Sequence, residues 1–182
     1  MKKTIKTMML SGLIGYIALS SGCLKKGLDD LQNSAAKEMT TVDYTYRFLY
    51  TDTIQKGTPK EEIQKDRVCE VLFKKQTTKL TENGTDVFQT TINYDVNSVL
   101  KAGPTGSVTK NMLYAQFQKL IQVDQLSKLW VYTTVSDVSV VTPLNNAPKL
   151  GSPGDFSKDA MYEVKAANGS TKKYILRTIK GF

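Results

Sequence analysis

The 182-residue chain carries a formal charge of +8, two cysteines and no histidine. Histidine is the commonest general base and the commonest metal ligand, so Ser-His-Asp and Cys-His nucleophilic centres and histidine-containing zinc sites are excluded. The positive charge is mild, and no RNA-recognition strand or zinc-finger spacing accompanies it, so nucleic acid is not an expected partner.

The chain opens with Lys2, Lys3 and Lys6, followed by an apolar run from Met8 to Leu19. A charged head, a short apolar middle and a small-residue end are the layout of a secretory signal peptide. About a dozen apolar residues cannot cross a bilayer core of roughly 30 Å as a helix, so removal is expected rather than retention as a span. The run ends in Ala18-Leu19-Ser20-Ser21-Gly22-Cys23. Ordinary export signals need no thiol there. Ser21-Gly22-Cys23 resembles the bacterial lipobox, with Ser20 standing where leucine is usual. The resemblance implies that residues 1–22 are removed and that Cys23 begins the mature chain, lipidated on its sulfur and amine. One acyl chain binds membranes only marginally, whereas the three that a lipobox implies anchor stably. Removing residues 1–22 takes three lysines and no acid, leaving +5. Residues 23–38 then read as the lipidated cysteine and a polar tether, with some helix near Ser34 to Glu38.

Residues 39–182 form one domain, and period-two patterning makes it β-rich. Val42, Tyr44, Tyr46, Phe48 and Tyr50 share one face, opposite Asp43, Thr45 and Arg47. Thr58 to Asp66 reads as a loop, Val68 to Lys74 as a second strand and Glu82-Asn83-Gly84-Thr85 as a turn. Cys69 alternates with Val71 and Phe73 and reads as a small buried hydrophobe. Val87 to Val96 is a third strand, and Gly103-Pro104-Thr105-Gly106 breaks the chain. Residues 111–122 are ambiguous: Leu113, Phe117, Leu120 and Ile121 fit a helix, whereas Leu113, Ala115, Phe117, Ile121 and Val123 fit a strand. Trp130 to Val135 and Val138 to Thr142 are further strands, and Tyr162 to Ala166 with Lys173 to Ile179 flank the hairpin signal Asn168-Gly169. Short strands joined by turns predict an antiparallel β-sandwich.

The stretch from Thr134 to Phe182 holds Pro153-Gly154-Asp155-Phe156-Ser157, followed by Tyr162, Val164, Ala166, Asn168, Gly169, Lys172, Tyr174 and Ile175. It resembles the C-terminal part of small Bacteroidetes-type outer-membrane lipoproteins built on an immunoglobulin-like domain of unknown function. Asn168 stands where aspartate is commoner in that family, and residues 34–48 resemble its opening strand. The resemblance implies an immunoglobulin-like antiparallel β-sandwich and a strand around Phe117 to Val123. It also implies an accessory role beside TonB-dependent glycan importers and their substrate-binding lipoproteins. It implies no established chemistry.

Three function classes follow. The leading expectation is a lipid-anchored, non-catalytic binding or accessory lipoprotein at the outer membrane, on its periplasmic or surface side, supporting glycan capture. Sugar recognition needs an exposed aromatic plane and polar groups for the hydroxyls, which makes Trp130, Tyr132 and Tyr114 the candidate contacts. Core packing is the competing role for Trp130. The second class is a structural or docking subunit that adds to a partner through strand edges, a role that edges closed by Lys or Pro would oppose. The third, an enzyme, is not expected. Asp155 and Asp159 are the most suggestive carboxylate pair, but Asp155 in a P-G-D-F-S turn reads as a cap on backbone amides. No D-x-D-x-D-G loop is present, Asp29-Asp30 lie in the tether, and neither metal nor cofactor is expected.

Overall fold

The structure is a computed structural model and describes residues 34–101 and 103–182. Ten strands form two five-stranded sheets packed face to face. They are β1 (Met39–Ile54), β2 (Glu62–Leu72), β3 (Lys74–Glu82), β4 (Thr85–Asn93), β5 (Val99–Lys101), β6 (Leu129–Val135), β7 (Val140–Leu144), β8 (Pro153–Gly154), β9 (Ala160–Lys165) and β10 (Thr171–Lys180). Sheet A has the order β5-β2-β1-β6-β8, and sheet B the order β3-β4-β10-β9-β7. The expected all-β sandwich is therefore present. It departs from a purely antiparallel arrangement in one pairing among the described residues, β4 beside β10, which runs parallel.

The period-two face of β1 points inward: Val42, Tyr44, Tyr46, Phe48 and Tyr50 are all buried. They meet Cys69 and Val71 of β2, Val131 of β6, and Phe88, Tyr162, Tyr174 and Leu176 from sheet B. Each fully buried side chain of this size contributes about 1.5–3 kcal/mol of transfer free energy. Cys69 is a core hydrophobe, and burial, followed by the neighbouring Glu70, pushes its thiol up to about 11. Buried tyrosine hydroxyls find partners where they reach polar atoms. The Tyr162 hydroxyl donates to the Pro148 carbonyl at 2.6 Å and that of Tyr174 to the Lys37 carbonyl at 3.1 Å. The buried hydroxyls of Tyr50 and Thr45 have no hydrogen-bond partner among the described residues, each at a cost of about a kcal/mol or more.

Two turns behave as their residues dictate. Asn83 and Gly84, with φ of 49° and 75°, join β3 to β4 in a tight hairpin, since positive φ at both central positions matches the twist of the flanking strands. Asn168-Gly169 joins β9 to β10 in the same antiparallel manner.

The strand expected around Phe117 to Val123 is not formed. Lys110–Asp124 is a helix, α1, capped by the Thr109 side chain, which accepts from the Met112 N–H at 3.3 Å. Leu113, Phe117 and Ile121, spaced by four, are fully buried, while Ala115 is exposed and Val123 is 82% exposed. The strand face included Ala115 and Val123 and would have buried both. The helical period wins because only it places every large apolar group but Val123 and Met112 on the covered side.

Ser34 to Glu38 carry no helix. They run as a strap across one pole of the sandwich. The Asn168 N–H donates to the Ser34 carbonyl at 3.1 Å, and the Ser139 hydroxyl to the Ala36 carbonyl at 2.7 Å. Lys172 pairs with Glu38 at 2.8 Å. The chain thus enters the domain beside the β9–β10 hairpin.

Candidate functional site

Strand alternation places the aromatic candidates. Leu129 and Val131 are fully buried against the core, so Trp130 and Tyr132 point to the outer face of sheet A, where both are half-buried. Trp130 lies opposite Thr45 and Tyr132 opposite Asp43 on β1. The Arg47 guanidinium carbon sits 4.6 Å from the centroid of the Trp130 ring, a cation–π contact. Arg47 is held in turn by Glu70 at 2.7 Å, so a Trp130–Arg47–Glu70 ladder crosses β6, β1 and β2. Around it stand Leu49, Val68, Leu72 and Leu100, each 42–57% exposed. Tyr114 does not join this face. It lies on α1 with its ring 6.1 Å from that of Tyr94, and α1 packs through Phe117 on Tyr46 and Phe48, the inner side of sheet A. Cys23 lies outside the described residues.

The carboxylates are engaged structurally. Asp155 accepts from the Ser157 N–H at 2.9 Å, the capping role expected of it, and its contacts with Ser157 hold the carboxyl below the usual range. Asp159 and Glu82 clamp Arg177 at 2.7 and 2.6 Å, which ties β10 to the end of β3. Among the described residues Asp52 is the one buried carboxylate, 1% exposed. Lys101 and Arg67 approach it at 2.8 and 3.0 Å, and the Val108 and Thr53 N–H groups donate to it at 2.9 Å. Burial pushes its carboxyl up, but Lys101 and these N–H groups outweigh that and leave it below the ordinary value. Gly106 is required at this point, because a Cβ there would lie 2.3 Å from the Asp52 carboxylate. Among the described residues no group of three metal-ligating side chains converges.

The sheet edges are guarded. β5 has three residues and β8 two, β7 contains Pro143, and β3 carries Lys74, Lys75 and Lys79. Lys75 also crosses a groove of about 270 Å3 to donate to the Val42 carbonyl at 2.8 Å, where β1 runs past the end of β2. Short, proline-bearing and lysine-bearing edges resist pairing with another strand.

A feature that sequence reasoning missed is a cleft of about 480 Å3 between the loops after β7 and before β9. Asn145 and Asn146, Pro148, Asp155, Lys158 and Asp159 are among its walls. Its only signals in the sequence were the paired asparagines and the P-G-D-F-S turn.

The profile of the DUF5018-related family matches residues 39–177, which spans both sheets and every side chain just described except Cys23. The chain belongs to the DUF5018-related family. A solved structure shares the fold: a candidate secreted protein of Bacteroides fragilis NCTC 9343, whose crystal structure was determined at 1.81 Å resolution. It superposes with a TM-score of 0.51 at 23% identity, covering 84% of this chain and 99% of that one. No curated protein matches the chain. Among the described residues no helix of this family member is long and apolar enough to cross a membrane.

Proposed function

We propose that the protein is a lipid-anchored, non-catalytic lipoprotein of the outer membrane that supports glycan capture through the outer face of sheet A. The observation that carries this is the placement of Trp130 and Tyr132 side by side on one solvent-facing surface, next to Arg47 and Glu70. An aromatic plane takes the C–H face of a sugar, and the charged pair offers a donor and an acceptor to its hydroxyls. Arg47 covers one face of the indole, so a sugar either displaces the guanidinium or lies against the rest of the ring and Tyr132. Such a small platform gives weak single-site affinity, on the order of 0.1–1 mM, and many anchored copies raise it through avidity. A TonB-dependent transporter and its substrate-binding lipoprotein are the partners this role implies.

Titrating neutral oligosaccharides while following Trp130 fluorescence tests the surface. Saturable changes are expected, and calorimetric binding of the same sugar should be lost in a folded Trp130→Ala variant. An indole insensitive to every sugar assigns Trp130 to packing.

The anchor has its own test. Cys23→Ala should abolish incorporation of labelled palmitate and release the protein from membranes. Unchanged labelling of that variant removes both the anchor and the outer-membrane location.

A second reading, a docking subunit with no ligand of its own, is favoured by the aliphatic groups Leu49, Val68, Leu72 and Leu100 around the same ladder. Exposed apolar patches rimmed by polar groups mark protein contacts. The guarded edges turn such docking toward the sheet face and away from strand addition.

A further inference from the structure

The cleft beyond β7 has features of a built ligand site. Its walls are pinned from behind. The Tyr162 hydroxyl holds the Pro148 carbonyl at 2.6 Å, and the Pro148 ring packs so closely on Gly154 that a Cβ there would lie 2.3 Å from it. Phe156, fully buried, anchors the opposite loop, and its N–H donates to the Leu126 carbonyl at 2.9 Å. Arg177 fixes Asp159 through two nitrogens at 2.7 and 3.0 Å. Asn145 and Asn146 both adopt positive φ, 49° and 63°, on this fixed frame. Loops held this way present their side chains at little further entropic cost.

The groups on the mouth are mixed. Asn146 and Lys158 line it, and Asp155, held by the Ser157 N–H at 2.9 Å and by the Ser157 side chain, has the Lys158 charge nearby. Lys158 offsets Asp155, and Arg177 is shared between Asp159 and Glu82, so the cleft keeps a net negative charge that disfavours an anionic ligand. A phosphate site would need surplus cations and a metal site converging carboxylates, and neither is present. Interleaved amide donors and acceptors above an apolar strip of Ala147 and Pro148 instead match hydroxyls set around a C–H framework. A cleft of about 480 Å3 also lies within the usual range of roughly 300–1,000 Å3 for small-ligand sites.

We propose that this cleft binds a neutral sugar unit. It shares a ligand class with the glycan-capture reading but assigns it a different place, so the two can fail separately. The position suits capture. β9 runs from the cleft at Ala160 to the strap pole at Lys165, six residues or about 20 Å, so the cleft opens at the pole away from the N-terminal strap.

The test follows backbone amide shifts of the isotope-labelled full chain in detergent micelles. Maltohexaose, xylohexaose and mannohexaose are titrated separately, with inorganic phosphate as the anionic control. At least one sugar should give saturable shifts at residues 145–147 and 155–160. The double substitution Asn146→Ala with Lys158→Ala should weaken that binding by about tenfold, two hydrogen bonds' worth, and Trp130→Ala should leave it unchanged. The proposal is overturned by silent cleft amides with all three sugars, by shifts that survive the double substitution, or by equal shifts with phosphate. It is also overturned if Trp130→Ala abolishes them. Sugar shifts confined to residues 45–47 and 130–132 would sink the cleft and leave the sheet-face reading standing.

Discussion

Asp52→Ala is expected to cost about 3–5 kcal/mol of stability, the range for removing one partner of a buried ion pair. The Asp52 side chain has no solvent exposure, while Lys101 and Arg67 beside it are 17% and 9% exposed. Without the carboxylate, two cations are left facing each other in a poorly solvated site, and the Val108 and Thr53 N–H groups lose their acceptor. The loop around Gly106 loses its fixing point as well, because Gly106 bridges to Ile54 directly over that carboxylate. At about 2–4 °C per kcal/mol, the melting temperature should fall by roughly 10 °C. The folded-state carboxyl is held below its ordinary value of 3.8, so its contribution is complete above about pH 4–5 and is lost as pH falls through the lower folded value. The stability gap between wild type and Asp52→Ala should therefore be constant at neutral pH and close on acidification. A melting temperature within about 2 °C of wild type, or a gap that widens in acid, contradicts the role assigned to Asp52.

The sandwich was legible where one face of a strand is buried and the other wet. β1 shows this over five inward residues, and Asn168-Gly169 declared its hairpin through residues that tolerate positive φ. β3 was not legible. Its sequence, KKQTTKLTE, is polar on both faces because the strand sits at a sheet edge, so no alternation marks it. The parallel pairing of β4 with β10 joins residues about ninety positions apart, and no local pattern encodes that. On the functional side, alternation within β6 sent Trp130 and Tyr132 to one face, as the strand period requires. The Arg47 and Glu70 partners come from other strands and follow only from register. Tyr114 shares only its residue type with them, because α1 carries it to the inner side of sheet A. The cleft is written in backbone conformation at Asn145 and Asn146 and in the packing of Pro148 on Gly154, neither of which has a periodic signature.

Phe117→Ala should be as damaging as loss of Asp52, by a different route. The ring is fully buried between sheet A and the connections that follow β2 and β4: its centroid lies 5.4 Å from that of Tyr46, 6.5 Å from Phe48, 6.0 Å from Phe73 and 4.8 Å from Tyr94. Truncation removes the hydrophobic transfer term, these aromatic contacts and the side chain that docks α1. It leaves a cavity between rigid rings that cannot collapse into it. Phe→Ala at such sites costs about 3–5 kcal/mol, and near-ultraviolet circular dichroism should weaken as the aromatic cluster loosens. Val123→Asp separates this account from the strand that the family resemblance implied for the same residues. On the helix, Val123 is 82% exposed, so an aspartate there should change stability by no more than about 0.5 kcal/mol. On a strand, Val123 would share the inward face of Phe117 and Ile121, and a buried unpaired carboxylate would cost several kcal/mol. Chemical denaturation of the two variants therefore reads the geometry directly. A severe Phe117→Ala with a neutral Val123→Asp is the signature of α1, and two severe losses would restore the strand.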